Sequence, residues 1–248
     1  LAGYGLAQLR LIPVDDAFAM RADLLERAIR ADADAGHRPA CVVATIGTTS
    51  STAVDPLPAI GAVCQRNGVW LHVDASYAGA AAILPERRAT IDGVELADSF
   101  VFNPHKWLLT NFDCSAYFVR DVPTLLRTFQ TNPEYLRTAH DPEVANFRDW
   151  GVQLGRRFRA LKLWFVLRSY GAAGLREMLR RHIALAADFR AWVEATPEFV
   201  VPAPSPFGLV CFRHEPQHLA ADIAALDEWN RGLLARINAS GRVYLTHT

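Results

Sequence analysis

Two short apolar runs, separated by a single helical pattern, narrow the fold of this chain more than any other feature. Residues 40–46 (Ala-Cys-Val-Val-Ala-Thr-Ile) are continuous and apolar, which predicts a strand covered on both faces. Asp55-Pro56 follows with an N-cap residue and a proline suited to the first helical position. Leu57, Ile60, Val63 and Cys64 then recur at helical spacing until Asn67-Gly68 closes the helix. Val69 to Val73 predicts a second buried strand, Phe100 to Phe102 a third and Ala116 to Val119 a fourth. Strand, helix, strand in this rhythm predicts an α/β layer built on a mainly parallel sheet. Upstream, Leu24/Leu25 and Ala28/Ile29 predict a surface helix over residues 21–35.

Beyond Val122-Pro123 the pattern changes. Residues 128–147 are polar, hold two prolines and show no period, which predicts a long functional or mobile loop. Helices are predicted from Arg156 to Tyr170, ended by Gly171, from Leu175 to Glu194 and from Leu219 to Ile237. Strands are predicted at Phe207–Phe212 and from Val243 to Leu245. The division that follows is a large α/β unit over residues 1–172 and the start of a smaller α+β unit over 173–248. The chain begins at Leu1 and stops just after an apolar run, and so reads as a piece of a longer polypeptide.

Lys+Arg and Asp+Glu both number 26, so charge gives no reason to expect nucleic acid or a membrane surface as partner. Arg156, Arg157 and Arg159 are expected to lie on a solvated helix face. Cys41, Cys64, Cys114 and Cys211 form no CxxC pair, so neither a zinc site nor a disulfide framework is indicated, and no metal is expected. Cys41 and Cys211 lie in apolar runs and are expected to be buried thiols, consistent with a reducing, cytoplasmic compartment. No apolar stretch reaches the length of a membrane span.

The chemistry-bearing residues follow the strands. Lys106 leaves the third strand between Pro104, His105 and Trp107, where loss of hydration would favour a free, nucleophilic amine suited to Schiff-base chemistry. Asp74 ends the second strand, where ligands of open α/β sheets bind; equally, it could cap a following helix. His72, two residues earlier and on the same face, either orients that carboxylate or is a satisfied core histidine. The turn Gly47-Thr48-Thr49-Ser50-Ser51-Thr52 can offer hydroxyls to a ligand or only satisfy its own backbone. Asn103, held extended by Pro104, can reach a ligand phosphate or pin the loop. Together, an anion for a pyridine nitrogen, an amine for a carbonyl and donors for a phosphate stand at one end of one sheet.

These residues lie in strings that resemble the aromatic-L-amino-acid decarboxylases, the group II pyridoxal-phosphate (PLP) decarboxylases. The strings are Ala44-Thr-Ile-Gly-Thr-Thr49, Trp70-Leu-His-Val-Asp-Ala-Ser-Tyr-Ala-Gly79, Phe102-Asn-Pro-His-Lys-Trp-Leu-Leu109, Asn111-Phe-Asp-Cys-Ser115 and Leu154-Gly-Arg-Arg-Phe-Arg-Ala-Leu-Lys162. Phe18-Ala-Met-Arg21 and Gly208-Leu-Val-Cys-Phe-Arg213 extend the likeness over nearly the whole chain. The resemblance implies a fold type I PLP-dependent large domain, like that of aspartate aminotransferase, with part of a small C-terminal domain. It also implies that Lys106 carries PLP as a Schiff base and that Asp74 pairs with the ring nitrogen. Thr49, Asn103 and His105 would hold the cofactor. Ser76 stands where the family usually has Ala beneath the ring, and adds a hydroxyl there.

By the same resemblance, Tyr135 matches the tyrosine of the family's mobile catalytic loop and would protonate Cα after CO₂ leaves; on residues alone it is an ordinary loop aromatic. Phe at this place accompanies aldehyde formation in some relatives, so Tyr135 favours simple decarboxylation. Gly155 favours bulky or indolic substrates. The implied activity is decarboxylation of dopa, tyrosine, tryptophan or 5-hydroxytryptophan by a homodimer. Histidine decarboxylase, an aromatic aldehyde synthase and an inactive truncated chain are the alternatives.

Overall fold

The computed structural model describes residues 5–131 and 133–248, the side chain of Pro142 excepted. Residues 1–4, and Asn132 within the predicted loop, lie outside the described residues. The first half is an α/β layer. It runs α1 (Ala22–Asp34), β1 (Cys41–Thr45), α2 (Leu57–Asn67), β2 (Trp70–Asp74), β3 (Ser99–Phe102), α3 (Pro104–Trp107), β4 (Ala116–Val119) and α4 (Val122–Phe129). The sheet order is β1-β2-β3-β4, with the first three strands parallel and β4 antiparallel to β3. Each predicted strand of this layer is present, as is the closure of α2 by Gly68 in the left-handed conformation (φ 63°).

One face of the sheet carries Val42, Ala44, Leu71 and Val73, all buried, in one apolar cluster with Leu57, Ile60, Val63 and Cys64 of α2 and Leu25 and Ile29 of α1. The other face is open. Cys41 and Val43 are exposed, and Trp70, His72 and Asp74 are only half-buried. Coverage of both faces, as the continuous apolar runs predict, is therefore not found: strand side chains alternate, and here only one side meets helices. The expected burial of Cys41 fails for the same reason. The buried thiols are Cys64 and Cys114, with Cys211 between the two states.

Asp55 is not the cap of α2. Pro56 holds the N-cap position without a side-chain bond. The Asp55 carboxylate instead accepts from the backbone N–H of Met20 and of Thr45, both at 2.7 Å, and so ties the N-terminal segment to the end of β1. The α4 helix was not anticipated; Asp121 caps it, accepting from Thr124 N–H at 3.0 Å. Past it, single 3₁₀ turns at Glu134–Leu136, Asp141–Glu143 and Phe147–Trp150 make up the predicted loop.

The next helix, α5 (Arg159–Glu194), starts three residues later than predicted and is broken at Gly171 (φ 62°, ψ 172°), which separates the two helices the sequence indicates. Leu175, Leu179 and Phe207 join the core of the large sheet. The remaining elements are β5 (Phe199–Val200), β6 (Arg213–His214) and α6 (Ile223–Ala239), with β5 and β6 paired as a two-residue antiparallel ladder. Residues 207–212 and 243–245 form no strand, in contrast to the prediction. A strand needs a ladder partner, and Leu245 instead exchanges both its backbone bonds with the Asn238 side chain. The chain exposes 16091 Å², where a self-contained globule of this mass exposes roughly 11,000 Å². Along α5, Trp164, Phe165 and Tyr170 are all more than half exposed.

Candidate active site

Parallel pairing sets Thr45 beside Asp74 and Asp74 beside Val101, so the carboxyl ends of β1, β2 and β3 share one edge. Every turn leaving that edge carries a predicted site residue. This is where ligands of open α/β sheets bind.

The turn after β1 is largely closed on itself. Gly47 N–H donates to Ala53 O (2.8 Å), and Ala53 N–H reaches Thr48 Oγ1 (3.0 Å). Thr48 Oγ1 and Ser51 Oγ are 2.6 Å apart, and Thr52 donates to Pro204 O. Gly47 is required: its φ is +79°, and a Cβ there would lie 2.5 Å from Ala78 Cβ. Thr48 and Ser51 thus satisfy the turn itself and Ser50 bonds the Thr248 hydroxyl, whereas Thr49 is exposed and its hydroxyl has no hydrogen bond. It lines an open cleft with Val14, Phe18, Ala203 and Cys211, which neither Asp74 nor Lys106 enters.

Asp74 is the last residue of β2 and caps no regular helix. Its Oδ1 accepts from Ser76 N–H at 2.9 Å and from the Ser76 hydroxyl, while Oδ2 accepts no hydrogen bond. His72 does not touch it. The His72 Nδ1 lies 2.8 Å from Ser99 Oγ, which also accepts from Trp70 Nε1 at 2.9 Å. Burial pushes the His72 imidazole below its ordinary value, opposed by the charge of Asp74. It is a satisfied histidine of the half-open face.

The turn after β3 is different. Pro104 opens the single-turn α3 and, with Trp107 one turn later, points into the core. Lys106 is consequently turned outward and its side chain is exposed. The desolvation predicted for this lysine is not found in the chain, because 3.6-residue periodicity sends residues 104 and 107 to one side and 106 to the other. Asn103 precedes it, and its Oδ1 is buried without a hydrogen-bond partner. His105 is committed locally: Nδ1 lies 2.7 Å from Cys114 O and 3.0 Å from Cys114 N, so either tautomer bonds that backbone.

Trp107 anchors the lysine turn. It stacks on Tyr77 (4.8 Å between centroids, 15° apart), and its Nε1–H donates to His182 Nδ1 at 3.1 Å. Phe207 stands edge-on to both rings. Gly208 packs closely here: a Cβ would come 3.0 Å from Trp107 Cζ2 and 3.3 Å from the Tyr77 hydroxyl, so the two rings would have to give way by a few tenths of an ångström. Burial pushes the Tyr77 phenol up to about 12, so it stays neutral. Sequence reasoning missed this Tyr77–Trp107–Phe207–His182 cluster. Its one visible signal was two aromatics flanking the aspartate and the lysine.

Tyr135 is not brought to these groups. It lies in the Glu134–Leu136 turn, 80% exposed, with no ring contact or side-chain hydrogen bond.

An exposed amine, a carboxylate with one free oxygen, an unpaired hydroxyl and a buried amide oxygen lacking a partner stand on neighbouring turns. That donor set fits a phosphorylated cofactor with a carbonyl and a ring nitrogen, and it defines an α/β protein of the kind that uses one. The chain belongs to the pyridoxal-dependent decarboxylase family, whose conserved-domain model matches residues 1–215. It is 45% identical to a phenylacetaldehyde synthase of Arabidopsis thaliana over all of this chain and 51% of that protein. It is 44% identical to tyrosine decarboxylase 1 of Narcissus pseudonarcissus over all of this chain and 50% of that one. The crystal structure of Oryza sativa TDC with PLP and tryptamine superposes with a TM-score of 0.94 at 45% identity, covering the whole chain and 52% of that protein. The fold is the PLP-dependent type I fold, and the cofactor of the family is pyridoxal phosphate. The chain spans about half the length of the curated relatives it matches.

Proposed function

We propose that this chain forms the lysine-bearing part of a PLP-dependent decarboxylase that converts an aromatic L-amino acid to its amine and CO₂. The observation that carries the reading is the placement of Asp74, Asn103 and Lys106 on adjacent turns of one sheet edge, in a chain of this family. Bound there, PLP supplies the electron sink that lets the substrate lose its carboxylate. Lys106 would contribute the amine that holds the carbonyl carbon. The free Oδ2 of Asp74 would pair with the ring nitrogen, and the Thr49 hydroxyl and Asn103 amide would hold polar groups of the cofactor. His105 and Ser76 act beside them, His105 by fixing the loop at Cys114.

Tyr135 is the proposed acid. Its exposed phenol sits on a turn that would close over the site, exclude water and place the Oη proton at Cα. Tyr135→Phe should lower amine formation at least about a hundredfold. Carbon dioxide, amine, aldehyde and peroxide measured together on the holoenzyme test the reading. Amine with CO₂ is expected; aldehyde and peroxide without amine would make the protein an aromatic aldehyde synthase, and histamine from histidine would move the substrate class.

Two further parts of the reading concern assembly and place. The reading includes a homodimer, for which the exposed Trp164, Phe165 and Tyr170 of α5 offer apolar surface. A division into units at 1–172 and 173–248 would fall at the break at Gly171, with Leu175, Leu179 and Phe207 of the second unit packed into the core of the first. Four unpaired cysteines support a cytoplasmic location. No helix among the described residues is long and apolar enough to cross a membrane.

A further inference from the structure

We propose that Ser76 is a positioning residue for Asp74, holding Oδ1 so that Oδ2 alone is presented to the ring nitrogen of the cofactor. The inference rests on the reading of Asp74 as the partner of that nitrogen. Two bonds reach the same carboxylate oxygen from the same residue: the Ser76 N–H at 2.9 Å and the Ser76 hydroxyl. The first is a backbone bond of the kind Asp makes two residues ahead, and any residue with an N–H at 76 can supply it. The second needs a side-chain donor.

The terminal torsion of an aspartate is broad and two-fold, so one backbone bond leaves the plane of the carboxylate free to swing. A second donor from another direction fixes that plane and leaves Oδ2 without a partner. Asp74 is then better aimed at the ring nitrogen than it would be without the hydroxyl. Asn103 N–H donates to the Ser76 carbonyl at 3.1 Å, so the backbone of residue 76 is itself fixed to the start of the lysine turn. Ser76 thereby links the two charged groups of the site, Asp74 by its hydroxyl and the Lys106 turn by its carbonyl.

The test compares the holoenzyme with Ser76→Ala and Ser76→Thr, loaded with PLP labelled with ¹⁵N at the ring nitrogen. In Ser76→Ala, where the carboxylate is free to swing away from the ring nitrogen, the pH midpoint of the ¹⁵N signal should fall by about one unit. Ser76→Thr, which keeps the hydroxyl, should return it to the parent value. A purely structural role would change the melting temperature without moving that midpoint. An unchanged or raised midpoint in Ser76→Ala, with Lys106 still labelled after borohydride reduction, overturns the inference and leaves the site reading intact. Absence of a pyridoxyl label on Lys106 in the parent holoenzyme overturns the site reading and this inference with it.

Discussion

The two faces of the central sheet differ more than the strands that make them. Along β2, Leu71 and Val73 are fully buried against the helical layer, whereas Trp70, His72 and Asp74 alternate with them and remain half-open. The buried face uses aliphatic side chains only and is closed by α2. The open face mixes apolar and polar groups, and a single hydroxyl, Ser99, serves both Trp70 and His72. Stability is concentrated on one side of a strand and chemistry on the other, one residue apart. A register slip of one residue would exchange them.

The largest effect should come from breaking the closed face. Leu71→Ala, which empties a fully buried position, should cost about 3 kcal/mol in urea unfolding, whereas Val43→Ala on the open face should change stability by no more than about 0.5 kcal/mol. Equal losses at the two positions would mean that the faces are equally covered.

Next comes the tie that holds the sheet edge. Asp55→Ala leaves the N–H groups of Met20 and Thr45 without their acceptor and should destabilise by about 2 kcal/mol, read as a lower urea midpoint. Asp55→Asn, which keeps one acceptor oxygen, should recover part of that loss.

The smallest effect is a pH dependence of the open face. Burial depresses the His72 imidazole in the folded chain, so the unfolded chain binds its proton first as pH falls. His72 therefore contributes stability that is present above the unfolded value near 6.5 and is lost as pH drops through the lower folded value. Unfolding free energies measured from pH 7.5 to 5 should fall less steeply in His72→Gln than in the parent.

Much of the closed face was legible in the sequence. Continuous apolar runs at 40–46 and 69–73 gave the strands, and the spacing of Leu57, Ile60, Val63 and Cys64 gave the helix that covers them. The openness of the other face was not, because a run of apolar residues has the same pattern whether one side or both are covered. Asp55-Pro56 has the form of a helix cap, yet its carboxylate is used by backbone groups 35 and 10 residues away. Local pattern cannot register such distant partners. Asp74, Asn103 and Lys106 were legible as strand-end residues, while the outward turn of Lys106 depended on which neighbours, Pro104 and Trp107, entered the core. The segment at 207–212 has strand composition, but its Phe207 is spent on the Tyr77–Trp107 stack.

The central claim is that Lys106 holds the cofactor beside Asp74. Borohydride reduction of the holoenzyme, followed by peptide mapping, tests it most directly. The account predicts a single pyridoxyl group, carried by the peptide containing Asn103-Pro104-His105-Lys106-Trp107 and lost in Lys106→Ala. A pyridoxyl group on Lys162, the only other lysine of the chain, or none on either, would contradict it.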